Sequence, residues 1–211
     1  MLCEISKHCV LFVLLLLITT MNLLLLYFLV ISFLVAPPTV AEPCGSVPLK
    51  QWGGSPSAIE EVLEMPVNLV VVTHTVTGAC YTDEECERIA NAIRRNQKRE
   101  GRPDIGLSYL VGENGKIYEG AGWRVGSHTR GYNNQSISLS FIGDFRTRVP
   151  SQVALKAAQN YLTCTLGWAV TTNYTLVGHR QLIATASPGD ALQSLIQTWP
   201  HWVANVGARP H

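Results

Sequence analysis

Charge of one sign is scarce in this 211-residue chain, whose sixteen lysines and arginines against fifteen aspartates and glutamates leave +1 at pH 7. So weak a balance gives no footprint for a nucleic-acid partner. Internal repeats and low-complexity tracts are also missing outside one segment, which leaves no basis for a repeat architecture. That segment lacks charge altogether. From Val10 to Ala36 the chain is mostly Leu, Val, Ile and Phe. At 27 residues the run exceeds the roughly 20 needed to cross a bilayer.

The remaining chain, about 165 residues from Cys44 onward, has ordinary composition and suits one domain with a real core. Lys7 and the amino terminus precede the apolar run and Glu42 follows it, so the positive-inside tendency puts the N-terminus in the cytoplasm. The expected organisation is a short cytoplasmic tail (1–9), a single-pass plasma-membrane anchor (10–36) and a stiff proline-containing spacer (37–43). An extracellular domain (44–205) and a C-terminal tail (206–211) follow. The alternative is a long signal peptide cleaved near Ala41, after Thr39-Val40-Ala41, giving a secreted protein. The apolar core is long for a signal, which favours the anchor. Both readings export the domain.

Cys3 and Cys9 lie on the cytoplasmic side, where palmitoylation is possible. Cys44, Cys80, Cys86 and Cys164 meet an oxidising compartment, where an even set suggests two disulfides. Cys80 and Cys86 are close across a turn into a helix and are paired on that ground, leaving Cys44 with Cys164. Buried free thiols are the alternative. Asn134 and Asn173 open glycosylation sequons, useful only outside the cell.

Periodicity gives the elements. Residues 51–67, with Trp52, Gly53-Gly54, Pro56 and Pro66, read as an irregular segment packed over the core. Val67 to Thr73 is a β-branched run expected as a buried central strand. Thr82 and Glu85 form a capping box for a helix whose first turns are acidic and last turns basic. Its inward face carries Cys86, Ile89, Ala90 and Ile93, and its charged face is read as solvated. Leu107 to Val111 and Lys116 to Glu119 make a hairpin about Asn114-Gly115. Ile137 to Ile142, alternating apolar residues with serine, is a further strand. Ser151 to Trp168 is a helix with Val153, Leu155, Ala158, Leu162 and Leu166 mostly inward. Tyr174 to Val177 leads to a strand end at His179, and Ala191 to Trp199 is a last helical run. The fold class is α/β, a central mixed sheet flanked by about three helices.

Several segments, in order over residues 44 to about 203, resemble the peptidoglycan recognition protein family, itself similar to phage N-acetylmuramoyl-L-alanine amidases. They are Gln51-Trp52-Gly53-Gly54, Val70-Val71-Val72-Thr73-His74-Thr75, Asp104-Ile105-Gly106, Gly112 to Gly120 and Gly122-Trp123. Gly126 to Asn133, Ser138 to Gly143, Gly178-His179-Arg180-Gln181, Ser187-Pro188-Gly189 and Thr198 to Trp202 complete the set. The resemblance implies a sheet that floors a groove for a muramyl peptide, and a role in innate immunity. The two disulfide pairs also look like the family's arrangement.

Catalytic members hold zinc with two histidines and a cysteine, and a tyrosine and often a threonine assist. Three ligands and an open position lower the pKa of bound water and polarise the carbonyl. The positions that match here are Thr73, His179 and Ser187, with Leu107 in place of the tyrosine and Thr185 for the threonine. One imidazole with two hydroxyls cannot hold a catalytic zinc. His74 would need a register slip to reach the metal position, because neighbours on a strand point to opposite faces, and even then Ser187 remains. The expectation is a non-enzyme with no cofactor and no metal. Its groove would be lined by His74, Thr75, Trp123, Arg124, His128, Arg130, Tyr132, Asn133, His179 and Thr185. The two residues that separate lysine-type from diaminopimelate-type members are here Arg124-Val125, which matches neither pattern. Partners implied are peptidoglycan or muramyl peptide and related recognition receptors. A regulator that binds no peptidoglycan is the alternative, and a zinc amidase the remote third.

Overall fold

A computed structural model describes residue 18 and residues 20–22, 44–57 and 61–206. The chain divides into two compact units, Met1–Glu42 and Pro43–His211. In the first, Ile18, Thr20, Met21 and Asn22 are helical. The expected tail, spacer and cleavage point, most of the anchor and most of the C-terminal tail lie outside the described residues. Among the described residues no helix is long and apolar enough to cross a membrane.

Among its described residues the second unit has six strands and four α-helices. In chain order these are β1 (Ser46–Val47), α1 (Leu49–Trp52), β2 (Val67–His74), α2 (Asp83–Arg99), β3 (Tyr109–Val111) and β4 (Ile117–Glu119). β5 (Ser136–Phe141), α3 (Gln152–Thr165), β6 (Val170–Gly178) and α4 (Asp190–Ile196) follow. The sheet order is β1-β4-β3-β5-β2-β6. Every pairing is parallel except the β3–β4 hairpin, so the expected mixed sheet between helices is present. β2 lies between β5 and β6, and Leu69 to Val72 are fully buried. A strand covered on both faces needs the unbroken apolar run seen there.

The two faces differ. Val70, Val72, Tyr109, Ile137, Leu139 and Phe141 pack with Leu155, Ala158 and Leu162 of α3 and Leu192 and Ile196 of α4. On the other face Leu110 and Tyr118 lie under Cys86, Ile89 and Ala90 of α2. Beyond α2 that second face turns polar, with Ser136, Ser138, Ser140 and Thr73 all buried. Both disulfides form, Cys80 with Cys86 and Cys44 with Cys164.

Four expectations need correction. The irregular segment 51–67 opens inside a helix, since Gln51 and Trp52 close α1, an element too short to show a period. α3 ends at Thr165, with Leu166 extended as its C-cap. Its inward stripe is Ala154, Leu155, Ala158, Tyr161, Leu162 and Thr165, while Val153 is 55% exposed. β6 starts at Val170 and α4 ends at Ile196. Finally, the basic end of α2 is not all solvated. Arg94 is buried, pairs with both oxygens of Asp104, and donates to the carbonyls of Gly53 and Ser55. Asp104 also accepts from the amides of Ser57 and Ile105, which ties α2 to the segment ahead of β2. The capping box of Thr82 and Glu85 stands as read.

Candidate functional site

Parallel strands deliver their C-terminal ends to one side, where open α/β sheets carry their sites. β2 and β6 pair there, Val72 against Gly178. Thr73 therefore leaves β2 next to the point where His179 leaves β6. Ser187 returns to the same place by a loop that Arg180 pins. The Arg180 amide donates to the Ser187 carbonyl at 2.9 Å, and its guanidinium reaches Asp190 and the Ala186 carbonyl. The Ser187 hydroxyl then accepts from the His74 amide at 3.2 Å. Gly189 closes the loop with φ 93°, where a Cβ would lie 2.3 Å from the Phe145 carbonyl oxygen, so only glycine fits.

The floor beneath is a chain of buried hydroxyls. Thr73 donates to Ser140 at 2.7 Å, and Ser140 to Ser138 at 3.3 Å. Ser138 and Ser108 exchange amide-to-hydroxyl bonds at 2.9 and 3.1 Å. These side chains satisfy one another in a layer that an apolar floor would leave greasy.

Two histidines face this floor. His179 is half-buried, and neither ring nitrogen has a hydrogen-bond partner among the described residues. Burial lowers its pKa, opposed by the main chain of His128. His128 is 8% exposed, with Nδ1 2.9 Å from the Thr129 hydroxyl and Nε2 sealed without a partner. Burial pushes it down to about 4, and His179 adds to that. Burial disfavours the charged form of both rings. Three of their four ring nitrogens are buried without a hydrogen-bond partner among the described residues, an unmet polar demand beside the floor.

A zinc ion does not fit these residues. Thr73 and Ser187 offer neutral hydroxyl oxygens where zinc takes nitrogen or sulfur, so His179 is the one strong donor of the three. Among the described residues no group of three His, Cys, Asp or Glu side chains could hold a metal. Nor does His74 help. Its ring is buried on the α3 and α4 face near Phe145, Nδ1 accepts from the Phe145 amide at 3.1 Å, and burial lowers its pKa against the opposing pull of Asp144. His74 is accordingly removed from the expected groove lining.

The rest of the expected lining is partly assembled. Thr75, on the same strand face as Thr73, bonds the Thr77 hydroxyl and borders a cavity of about 530 Å³, with Ile93, Asn96 and Gln97 of α2 on its far side. Tyr132 packs on Leu69, Val71 and Val177 of the floor face. Asn133 accepts from the Thr129 amide at 2.7 Å and so braces the turn behind His128. Thr185 accepts from the Ser187 amide at 3.2 Å, and Arg130 is exposed. Arg124 donates to the carbonyls of Gly120 and Ala121 and lines a separate cavity of about 190 Å³ with Asp104, Gly106 and Ser127. Trp123 must be withdrawn from the groove, because its ring packs against Tyr109 and Trp168 on the α3 face. Asn134 and Asn173 are both exposed.

Two features escaped sequence reasoning. The α2 wall was read only for its buried face, although Gln97 accepts from the Gly106 amide and so links wall to floor. The serines of β5 were visible as an alternation, but nothing in one strand says that Thr73 and Ser108 continue it.

Comparison places these features among known proteins. A family model described as N-acetylmuramoyl-L-alanine amidase matches residues 63–190. A peptidoglycan recognition protein of Bombyx mori is 45% identical over 170 residues, 79% of this chain and 87% of its own. The ectodomain complex of peptidoglycan recognition proteins LCa and LCx, solved with tracheal cytotoxin bound, aligns with a TM-score of 0.71 at 42% identity, covering 74% of this chain and 96% of that one. Human PGRP-IβC, solved with a glycosamyl muramyl pentapeptide, aligns with a TM-score of 0.71 at 36% identity, covering 75% and 98%.

Proposed function

This chain belongs to the peptidoglycan recognition protein family, and we propose that its groove holds a muramyl peptide without cutting it. The observation that carries this reading is the floor itself. Thr73 and Ser187, where catalytic members of the family place metal ligands, carry neutral hydroxyls, bonded to Ser140 and to the His74 amide, in place of an imidazole and a thiolate. Hydrolysis of a lactyl amide without an activated water lacks its nucleophile. Binding needs only a polar groove, and the cavity against α2, bordered by Thr75, Asn96 and Gln97, supports that reading. The protein then acts in innate immune sensing as a receptor anchored through residues 10–36, with the domain outside the cell.

Pull-down of the domain on purified lysine-type and diaminopimelate-type peptidoglycan tests binding, and mass analysis of muropeptides after incubation tests cleavage. Retention on a polymer with no released peptide is the expected result. Released peptide with stoichiometric zinc overturns the reading. A second reading, a co-receptor that pairs with related receptors and binds no polymer, draws support from the likeness to the two-receptor LCa and LCx complex. Failure to bind either polymer would favour it.

A further inference from the structure

On the α3 side of the sheet, away from the groove, three large apolar side chains stand in water. Val62 is 65% exposed, Met65 37% and Trp168 51%. They belong to one patch. Val62 bridges to Arg124, Leu63 donates to the Trp123 carbonyl, and the Trp123 and Trp168 rings meet edge to face at 5.6 Å. Val67 donates to the Ala169 carbonyl, which brings the Met65-Pro66 end beside Trp168. The indole N–H of Trp168 is already given to the Cys164 carbonyl at 3.1 Å, so the ring offers apolar surface alone. Single exposed apolar residues need no explanation, but a contiguous group around a half-exposed tryptophan marks a contact surface.

The covalent chain identifies the occupant. Trp168 bonds the very cysteine that is bridged to Cys44. Cys44 follows the uncharged run 10–36 after seven residues, three of them proline. Seven residues span at most about 25 Å when extended, which bounds the tether between that run and Cys44. Tryptophan is the residue enriched where bilayer meets water. Exposed Glu61 and Glu64 flank Val62, which disfavours anionic headgroups and favours zwitterionic ones.

We propose that this patch rests on the zwitterionic lipid surface, with Trp168 as the inserting side chain. The groove, on the opposite face of the sheet, is thereby turned away from the bilayer and toward soluble cell-wall fragments. The inference rests on the reading of residues 10–36 as an anchor.

The full chain, reconstituted in phosphatidylcholine vesicles, supplies the test. Lipid brominated near the glycerol end of its acyl chains is expected to lower tryptophan emission, and most of that loss is expected to vanish in Trp168→Phe. Acrylamide in the buffer should quench wild type and Trp168→Phe to the same degree. An alkaline carbonate wash and flotation separate the two claims. Protein stripped from the vesicles overturns both the anchor and the docking. Protein retained, with Trp168 quenched by acrylamide and untouched by bromolipid, overturns the docking alone. A Trp168 shielded from both quenchers is covered by protein instead, which also overturns it.

Discussion

A hydroxyl at position 187 keeps the loop and loses the ligand. Ser187 still receives the His74 amide and still sets the turn into α4, so the backbone that would present a thiolate is intact. Thr73 is similar, since it closes the hydroxyl chain of the floor while offering no imidazole. It follows that donor chemistry, and not the frame, separates this site from a zinc centre. Thr73→His, Leu107→Tyr and Ser187→Cys together are expected to bring about one equivalent of zinc, measured by elemental analysis after dialysis, because three strong donors with an open position then converge. Ser187→Cys alone leaves two strong donors and should retain none. Tight zinc in that single variant would contradict the argument.

Among the elements, α2 carries both the groove wall and the Arg94–Asp104 pair. Arg94 is buried and Asp104 half-buried, and each is also hydrogen-bonded to main chain, so removing one partner strands the other. Arg94→Met is expected to cost about 3 kcal/mol in urea unfolding and to weaken polymer retention through the loosened wall. Asp104 also sets a pH dependence. Hydrogen bonds and the guanidinium of Arg94 outweigh its burial and hold its pKa well below the ordinary carboxylate value. A lowered folded pKa contributes stability that is fully present above the unfolded value, about 3.9, and is lost as pH falls toward the folded one. The stability gap between wild type and Asp104→Asn should therefore be widest above pH 4 and narrow steadily below it.

The same scale shows what could be read in advance. β2 and the capped start of α2 were legible because a long β-branched run and a capping box are local signals. Arg94 was not, because nothing near it in sequence announces that Asp104 and two carbonyls will converge on it. On α3 the apolar stripe was read through Val153, when Ala154 and Tyr161 carry the inward face, small and aromatic residues whose side is decided by their neighbours. Val153→Glu is accordingly expected to shift the urea midpoint by an amount equivalent to less than about 0.5 kcal/mol. Ala158→Glu, placing a carboxylate in the core, should unfold the domain. Of the site, motif order brings Thr73, His179 and Ser187 to one expectation, but it does not say that β2 turns the His74 ring, and the loop after β4 the Trp123 ring, toward the α3 face.

For the molecule as a whole, the two disulfides differ in what they constrain. Cys80 and Cys86 close a span of 6 residues, Cys44 and Cys164 a span of 120. On chain-entropy grounds the short bridge is worth about 2 kcal/mol and the long one about 5 kcal/mol, since only the latter removes large-scale freedom from the unfolded chain. The long bridge also fastens the first described residue of the second unit to the end of α3, next to the exposed Trp168. Cys44→Ser with Cys164→Ser should therefore lower the thermal midpoint well beyond Cys80→Ser with Cys86→Ser, each compared by calorimetry under oxidising conditions. Equal shifts would mean that the unfolded chain is already compact enough for the long loop to lose little. A larger shift for the short bridge would mean that the packing of Cys80 and of Cys86 on the inner face of α2, where both are fully buried, outweighs loop entropy.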